Sequence, residues 1–218
     1  MIRKALNLSA ANVFALLALC VGASAQASDA PKVEVGVQFS TLSVRRPDFF
    51  NETEHQPGFG ARVTYNLTDN VAVEAEGNFF PTRGTTSIST GGRTLQGQFG
   101  VKAGKRFERF GVFAKARPGL VSFDGALRSA GTDTIIFEGE SFVVPRFTLA
   151  RKTHFSTDIG GVLELYPSRR IVTRFDFGDT IIRYGERETF GFVSQPIVTA
   201  PATVRHNFQF SAGVGFRF

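Results

Sequence analysis

The chain has no tryptophan, one cysteine, one methionine and three tyrosines in 218 residues. A single cysteine, Cys20, excludes an internal disulfide framework. Long apolar runs are missing as well. The one mostly apolar stretch, Val13 to Val21, is too short for a membrane-crossing helix, which takes about 20 residues. If the protein crosses a membrane, it does so without helices. Charge of one sign is not in strong excess either: 25 basic against 19 acidic side chains, a formal net charge of +6, is no footprint for nucleic acid.

The beginning of the chain is more informative. Met1-Ile2-Arg3-Lys4 is positive, Val13 to Val21 is apolar, and Ala23-Ser24-Ala25-Gln26-Ala27 is small. That order is the plan of a secretory signal peptide. Cleavage is expected after Ala27, with Ala25 as the alternative, which divides the chain into a leader, 1–27, and a single mature domain, 28–218. Cys20 would leave with the leader, and the loss of Arg3 and Lys4 would lower the net charge from +6 to +4.

Beyond residue 30 long helical periodicity is absent, and strict apolar/polar alternation recurs, the signature of strands with two unlike faces. The last segment shows it best. His206, Phe208, Phe210, Ala212, Val214, Phe216 and Phe218 share one face; Arg205, Asn207, Gln209, Ser211, Gly213, Gly215 and Arg217 share the other. Seven earlier segments repeat the pattern, with apolar faces running Val33 to Phe39, Phe59 to Leu67, Val71 to Phe79, Leu95 to Ala103, Phe110 to Ala116, Phe155 to Leu165 and Ile171 to Phe177. The sum is eight strands.

Their connections alternate in length. Tight turns fall at Thr68-Asp69-Asn70, Phe107-Glu108-Arg109 and Pro167-Ser168-Arg169-Arg170, rich in turn formers. Longer connections fall at about 44–56, 81–93, 121–153 and 183–203. Short turns on one rim and long loops on the other describe an outer-membrane barrel with its turns in the periplasm. Within the third long connection, Thr134 to Phe137 and Phe142 to Phe147 look like strands, as if strands five and six ran on into a protruding hairpin; ten strands are the alternative.

Alternation does not say which face is inside, so charge must decide. The polar faces carry Glu34, Glu74, Glu76, Asp158, Glu164 and Asp176 against Arg62, Lys102, Lys115, Arg117, Arg174 and Arg217. Balanced charges can pair across a narrow lumen. The apolar faces so defined hold no Lys, Arg, Asp or Glu, as lipid exposure requires, since a basic side chain at the bilayer midplane costs about 2–4 kcal/mol. Together with Gln38, Gln96, Gln98, Asn66 and Asn78, these charges fill the interior of an eight-stranded barrel, which is just wide enough for side chains.

The eight segments and the terminal strand from Phe208 to Phe218 resemble the small outer-membrane β-barrel family that includes the membrane domain of outer membrane protein A and outer membrane protein X. The resemblance covers Val33 to Phe218. It implies an all-β, antiparallel up-and-down barrel in the cell outer membrane, a monomer among outer-membrane lipids and lipopolysaccharide. It also implies that the barrel assembly machinery reads Phe218, with Phe216 and Val214 behind it. Girdles would be built from phenylalanine, with Tyr65, Tyr166 and Tyr184 as the available tyrosines.

Chemistry is sparse. His55, His154 and His206 lie in separate segments, which suggests no metal site, and no cofactor is expected. His206 falls on the lipid-facing side near the loop rim, where a lipid-modifying enzyme would need a serine on the same face; position 208 holds Phe208 instead. The expectation is a non-enzymatic protein that supports the envelope or displays loops for contact or adhesion. A lipid-modifying or proteolytic barrel enzyme and a small pore or transport accessory are the alternatives.

Overall fold

The computed structural model describes residues 31–45, 53–81, 92–137, 139–192 and 195–218. The expected leader, residues 1–27, lies outside them. Eight strands close a barrel: β1 (Val33–Arg45), β2 (Thr53–Asn66), β3 (Val71–Phe80), β4 (Thr94–Arg106), β5 (Phe110–Phe137), β6 (Glu140–Leu165), β7 (Ile171–Tyr184) and, after two short strands, β10 (Thr203–Arg217). Every neighbour pair is antiparallel; β1 to β7 pair in chain order, β7 pairs with β10 past the two short strands, and β10 returns to β1. Closure removes the unpaired edges that a lipid environment would not tolerate.

The alternation of the sequence becomes the two faces of the wall. Val35, Val37 and Phe39 on β1 and Phe59, Val63 and Tyr65 on β2 are exposed, while Glu34, Gln38 and Ser40 between them are buried. The polar side chains thus point inward and the apolar ones toward lipid, the reverse of a soluble barrel. The three tight turns stand where the sequence places them, between β2 and β3, β4 and β5, and β6 and β7. One proline sits inside the wall. Pro118 has no N–H to give the ladder, and the β4–β5 pairing skips from Gln98↔Gly119 to Val101↔Ala116 around it.

The long connection of 121–153 is mostly strand. β5 and β6 pair from Phe110↔Leu165 to Phe137↔Glu140, far past the last barrel partners on either side, Phe123 of β5 with β4 and Phe155 of β6 with β7. The protruding hairpin is therefore real and the barrel has eight strands, not ten. Two bulges, after Phe123 and after Ser129, use Gly125 and Gly131 at positive φ of 68° and 100°, a backbone glycine adopts without strain. Twelve residues from Ala126 to Phe137 at about 3.4 Å each give a ribbon about 40 Å long. The connection of 183–203 holds a second ribbon, β8 (Arg187–Phe192) with β9 (Gln195–Ala200), which the alternation of the sequence does not announce.

Three expectations need correction. β7 runs on to Tyr184, so its outward face continues past Phe177 to Asp179, and the lipid side is not free of carboxylates. Tyr184 is buried inside the lumen and cannot serve an interfacial girdle. Tyr166 turns to the periplasmic mouth, where its hydroxyl donates to Glu164 at 2.8 Å, which leaves Tyr65 as the outward tyrosine.

Candidate functional site

The lumen is stacked in layers, and each layer follows from which inward positions of the eight strands share a height. The lowest closes the periplasmic mouth. Glu34 of β1 meets Arg217 of β10 at 3.4 Å and Arg106 of β4 at 3.4 Å, and the Arg217 and Arg106 guanidiniums lie over the Tyr166 ring at 4.5 and 5.5 Å. Burial and the neighbouring Glu164 raise the Tyr166 phenol above its ordinary range, so it stays a donor. Arg106, at the end of β4, is a seventh lumen cation that the charge count of the sequence passes over.

Above it lies an ion-pair network of ten buried side chains, Arg62, Lys102, Lys115, Arg117 and Arg174 with Glu74, Glu76, Asp158, Glu164 and Asp176. Arg117 of β5 grips Glu76 of β3 at 2.5 Å and Asp158 of β6 at 2.6 Å. Arg174 of β7 forks between Asp176, at 2.7 Å on each oxygen, and Glu74, whose two oxygens both accept from it across the lumen. Lys102 bonds Glu164, and Lys115 reaches Asp158 at 2.8 Å and Asp176 at 3.3 Å. Arg62 donates to Gln38 at 3.0 Å and lies 3.7 Å from Asp176. All twelve charges picked from the alternation are buried here or at the mouth below.

A belt of amides and hydroxyls comes next. Gln38 donates to Asn78 at 3.0 Å, Asn78 to Gln96 at 2.9 Å, and Gln96 to Gln209 at 2.8 Å; Gln209 accepts from Thr180 at 2.7 Å, and Ser40 meets Ser211 at 2.8 Å. This chain of bonds ties β1, β3, β4, β7 and β10 across the interior.

The top layer is apolar, contrary to the wholly polar lumen that alternation implies. Leu42, Val44, Phe80, Val121, Phe123, Ile182 and Tyr184 form one buried cluster under the extracellular mouth, with Phe123 and Tyr184 stacked and His154 4.7 Å from the Tyr184 ring. A sequence signal for it exists: adjacent apolar pairs, Phe79-Phe80, Leu120-Val121 and Ile181-Ile182, stand at the strand tops. Gln56 is wholly buried in this layer, and neither of its amide atoms has a hydrogen-bond partner among the described residues.

On the outer wall, polar side chains cluster at the extracellular rim. His206 is 71 % exposed and its Nδ1 lies 2.5 Å from Asp179 Oδ2; the other Asp179 oxygen accepts the Asn207 backbone N–H at 2.9 Å. Asp124 accepts from Arg151 at 2.6 Å and from Arg93 at 3.3 Å. His55 Nδ1 lies 2.8 Å from Ser43 Oγ. Among the described residues, no group of His, Cys, Asp or Glu is arranged to hold a metal ion. Val214, Phe216 and Phe218 point outward at the periplasmic end, Phe216 and Phe218 edge to face at 5.0 Å.

A closed eight-stranded barrel with an apolar outer wall, a charged lumen and short periplasmic turns is an outer-membrane β-barrel. Residues 13–218 match the family described as "Outer membrane protein beta-barrel domain", and the chain belongs to it and to the cell outer membrane. Among solved structures, the chain is similar to the outer membrane protein OprG from Pseudomonas aeruginosa, at 10 % identity and a TM-score of 0.54 over 88 % of this chain and 97 % of that one. It is also similar to Ail, the attachment invasion locus protein of Yersinia pestis, at 13 % identity and a TM-score of 0.50 over 87 % of this chain and 99 % of that one. At such identities the likeness concerns the fold. No curated protein matches the sequence.

Proposed function

We propose that the protein serves the outer membrane as a closed, non-enzymatic scaffold, bracing the envelope and holding its long extracellular segments out for contact. One observation carries this reading: the lumen is occupied at every level, by ion pairs, then amides, then an apolar cap. Ions would have to break a buried network to pass, and removing one partner of such a pair costs about 3–5 kcal/mol. The ribbon of β5 and β6 supports the contact role, because Ile135, Ile136, Phe142 and Val143 near its tip are exposed. Arg93 and Arg151 on the outer rim suit lipopolysaccharide phosphates, which planar guanidiniums recognise well. Phe218 with Phe216 and Val214 suits recognition by the assembly machinery, and a monomer is the simplest state for a barrel whose edges are all paired within one chain.

The test is a planar-bilayer recording of the refolded barrel. No steady conductance is expected above that of the bare bilayer. A large, stable conductance would overturn the closed-lumen reading in favour of a pore.

A further inference from the structure

We propose that Ser43 and His55 form an interfacial acyl-ester hydrolase site on the outer wall, which keeps the closed lumen of the scaffold reading and replaces its non-enzymatic part. The two residues are directly opposed on β1 and β2, both on the outward face, with Ser43 Oγ 2.8 Å from His55 Nδ1. That is a hydroxyl and a base within the reach nucleophilic catalysis needs. In the neutral imidazole with its proton on Nε2, Nδ1 is the acceptor, so the serine hydroxyl donates and its oxygen is primed to attack.

The height is right for an amphiphile. Ser43 is ten residues above Val33 on a strand tilted by about 40°, which sets it about 25 Å up the wall, at the top of a lipid-facing band of about that thickness. Directly below, Phe39 and Phe59 are paired across the same two strands and exposed to lipid. One step past the last β1–β10 pair, Leu42↔Gln209, Ser43 comes level with Phe208. An acyl chain lying against these three rings brings its ester group to the serine.

A second, independent observation marks the same row of the wall. Phe208 pairs with Asp179 on β7, and Asp179 faces outward between Phe177 and Ile181, holding His206 at 2.5 Å. A carboxylate in that setting is costly, and ionisable groups kept at a lipid boundary mark functional sites. His55, Ser43, Phe208 and Asp179 thus run along one row across four adjacent strands, with hydrogen-bonded polar pairs on both sides of the phenylalanine. The strand of His206 offers no serine on its outward face at position 208; the serine stands on β1, beside a different histidine, and the pairing register alone brings the two together.

The step balances with water as the co-reactant. Ser43 Oγ bonds to the ester carbonyl carbon as its proton passes to His55 Nδ1. The bond to the alcohol oxygen breaks and that oxygen takes the proton. Water then attacks the acyl-serine, giving its proton to His55; the serine oxygen leaves and is reprotonated, and the fatty acid departs.

The experiment uses the refolded full mature chain, with folding checked by mobility before and after boiling. An alkyl fluorophosphonate should label the folded wild type, and peptide mass should place the label on Ser43. Fatty-acid release is measured from two kinds of vesicle, phosphatidylcholine alone and phosphatidylcholine with lipopolysaccharide. Release from the first assigns the activity to glycerophospholipid esters, and release from the second alone assigns it to the acyl esters of lipopolysaccharide. Ser43→Ala should abolish it and His55→Asn should lower it by about 10²–10⁴-fold. Release from neither vesicle, or equal release by Ser43→Ala, overturns the proposal. If a variant fails to fold, the wild-type label decides: absence from Ser43 in the folded barrel overturns it too.

Discussion

Arg174 holds two carboxylates on opposite sides of the lumen, Asp176 and Glu74, and none of its surface reaches solvent. Arg174→Met would leave both anions facing each other in a narrow interior. The expected cost is about 3–5 kcal/mol, read as a lower urea midpoint for unfolding from vesicles, and pairing it with Glu74→Gln should recover part of the loss. Gln56 predicts the opposite sign. Its amide is buried beside Leu42 without a partner among the described residues, a condition that costs about 1–3 kcal/mol, so Gln56→Leu should raise the urea midpoint. Gly100 is governed by space: a Cβ there would stand 2.1 Å from the Ala116 carbonyl oxygen and 2.6 Å from the Arg117 Cα. Both contacts are backbone atoms that cannot swing aside. Gly100→Ala should therefore push β4 and β5 apart beside Pro118 and slow refolding, measured as the yield of the fast-migrating, unboiled form. These residues were legible from sequence to different degrees. The twelve lumen charges could be picked out because they alternate with apolar neighbours. Alternation does not place Asp179, since Gly178, the residue after Phe177, marks no face. His55 and Ser43 are twelve positions apart, and their contact depends on a register that neither strand encodes alone.

Strands could be read wherever their two faces differ. At the extracellular ends that contrast disappears: Phe79 and Phe80 are both apolar, as are Ile181 and Ile182, yet Phe80 and Ile182 are the buried members of each pair. Period two carries no information there, so the apolar cap of the lumen is marked only by the doubled apolar residues and not by alternation. The same holds for β8 and β9, where Pro196 and Gly191 interrupt short segments. The β5–β6 ribbon was foreseen because Ile135-Ile136 and Phe142-Val143-Val144 flank a glycine turn, although its length was not. Since the ribbon lies beyond the barrel pairings, replacing residues 126–150 with a tight turn should leave the barrel folded, with its boiling-dependent mobility shift intact; loss of that shift would show that the ribbon nucleates the wall. Asp124 gives the ribbon base a pH response. Hydrogen bonding from Arg151, with Arg93 second, holds its carboxyl below the ordinary range. A carboxylate lowered by folding stabilises the folded state above its unfolded value of about 4 and stops doing so as pH falls through the lower folded value. Cleavage of the ribbon base by an acid protease should therefore change little down to about pH 4 and rise below it, and Asp124→Asn should remove that dependence.

At the level of the whole molecule, the wall and the filling do different work. The outer face satisfies lipid by exclusion of charge over its middle height, and the inner face satisfies thirteen charged groups, Arg106 among them, by mutual pairing, so the barrel should remain folded in dodecyl sulfate until heated. A single band that does not move on boiling would contradict the fold. Because the chain holds no tryptophan, such folding must be followed by gel mobility or circular dichroism. Location and architecture were legible in the sequence because lipid imposes one rule on every outward position; the task was not, because loops and rim obey no such rule. The seam between β1 and β10 has a further consequence. It joins Glu34 to Arg217, residues at opposite ends of the barrel sequence, and pairing across so long an intervening segment is the entropically dearest and slowest to form. A polypeptide whose synthesis stops before Thr203 can fold every hairpin and still present two raw margins to periplasmic proteases. Closure therefore makes the edgeless wall an all-or-none property: it exists only once β10 lies against β1.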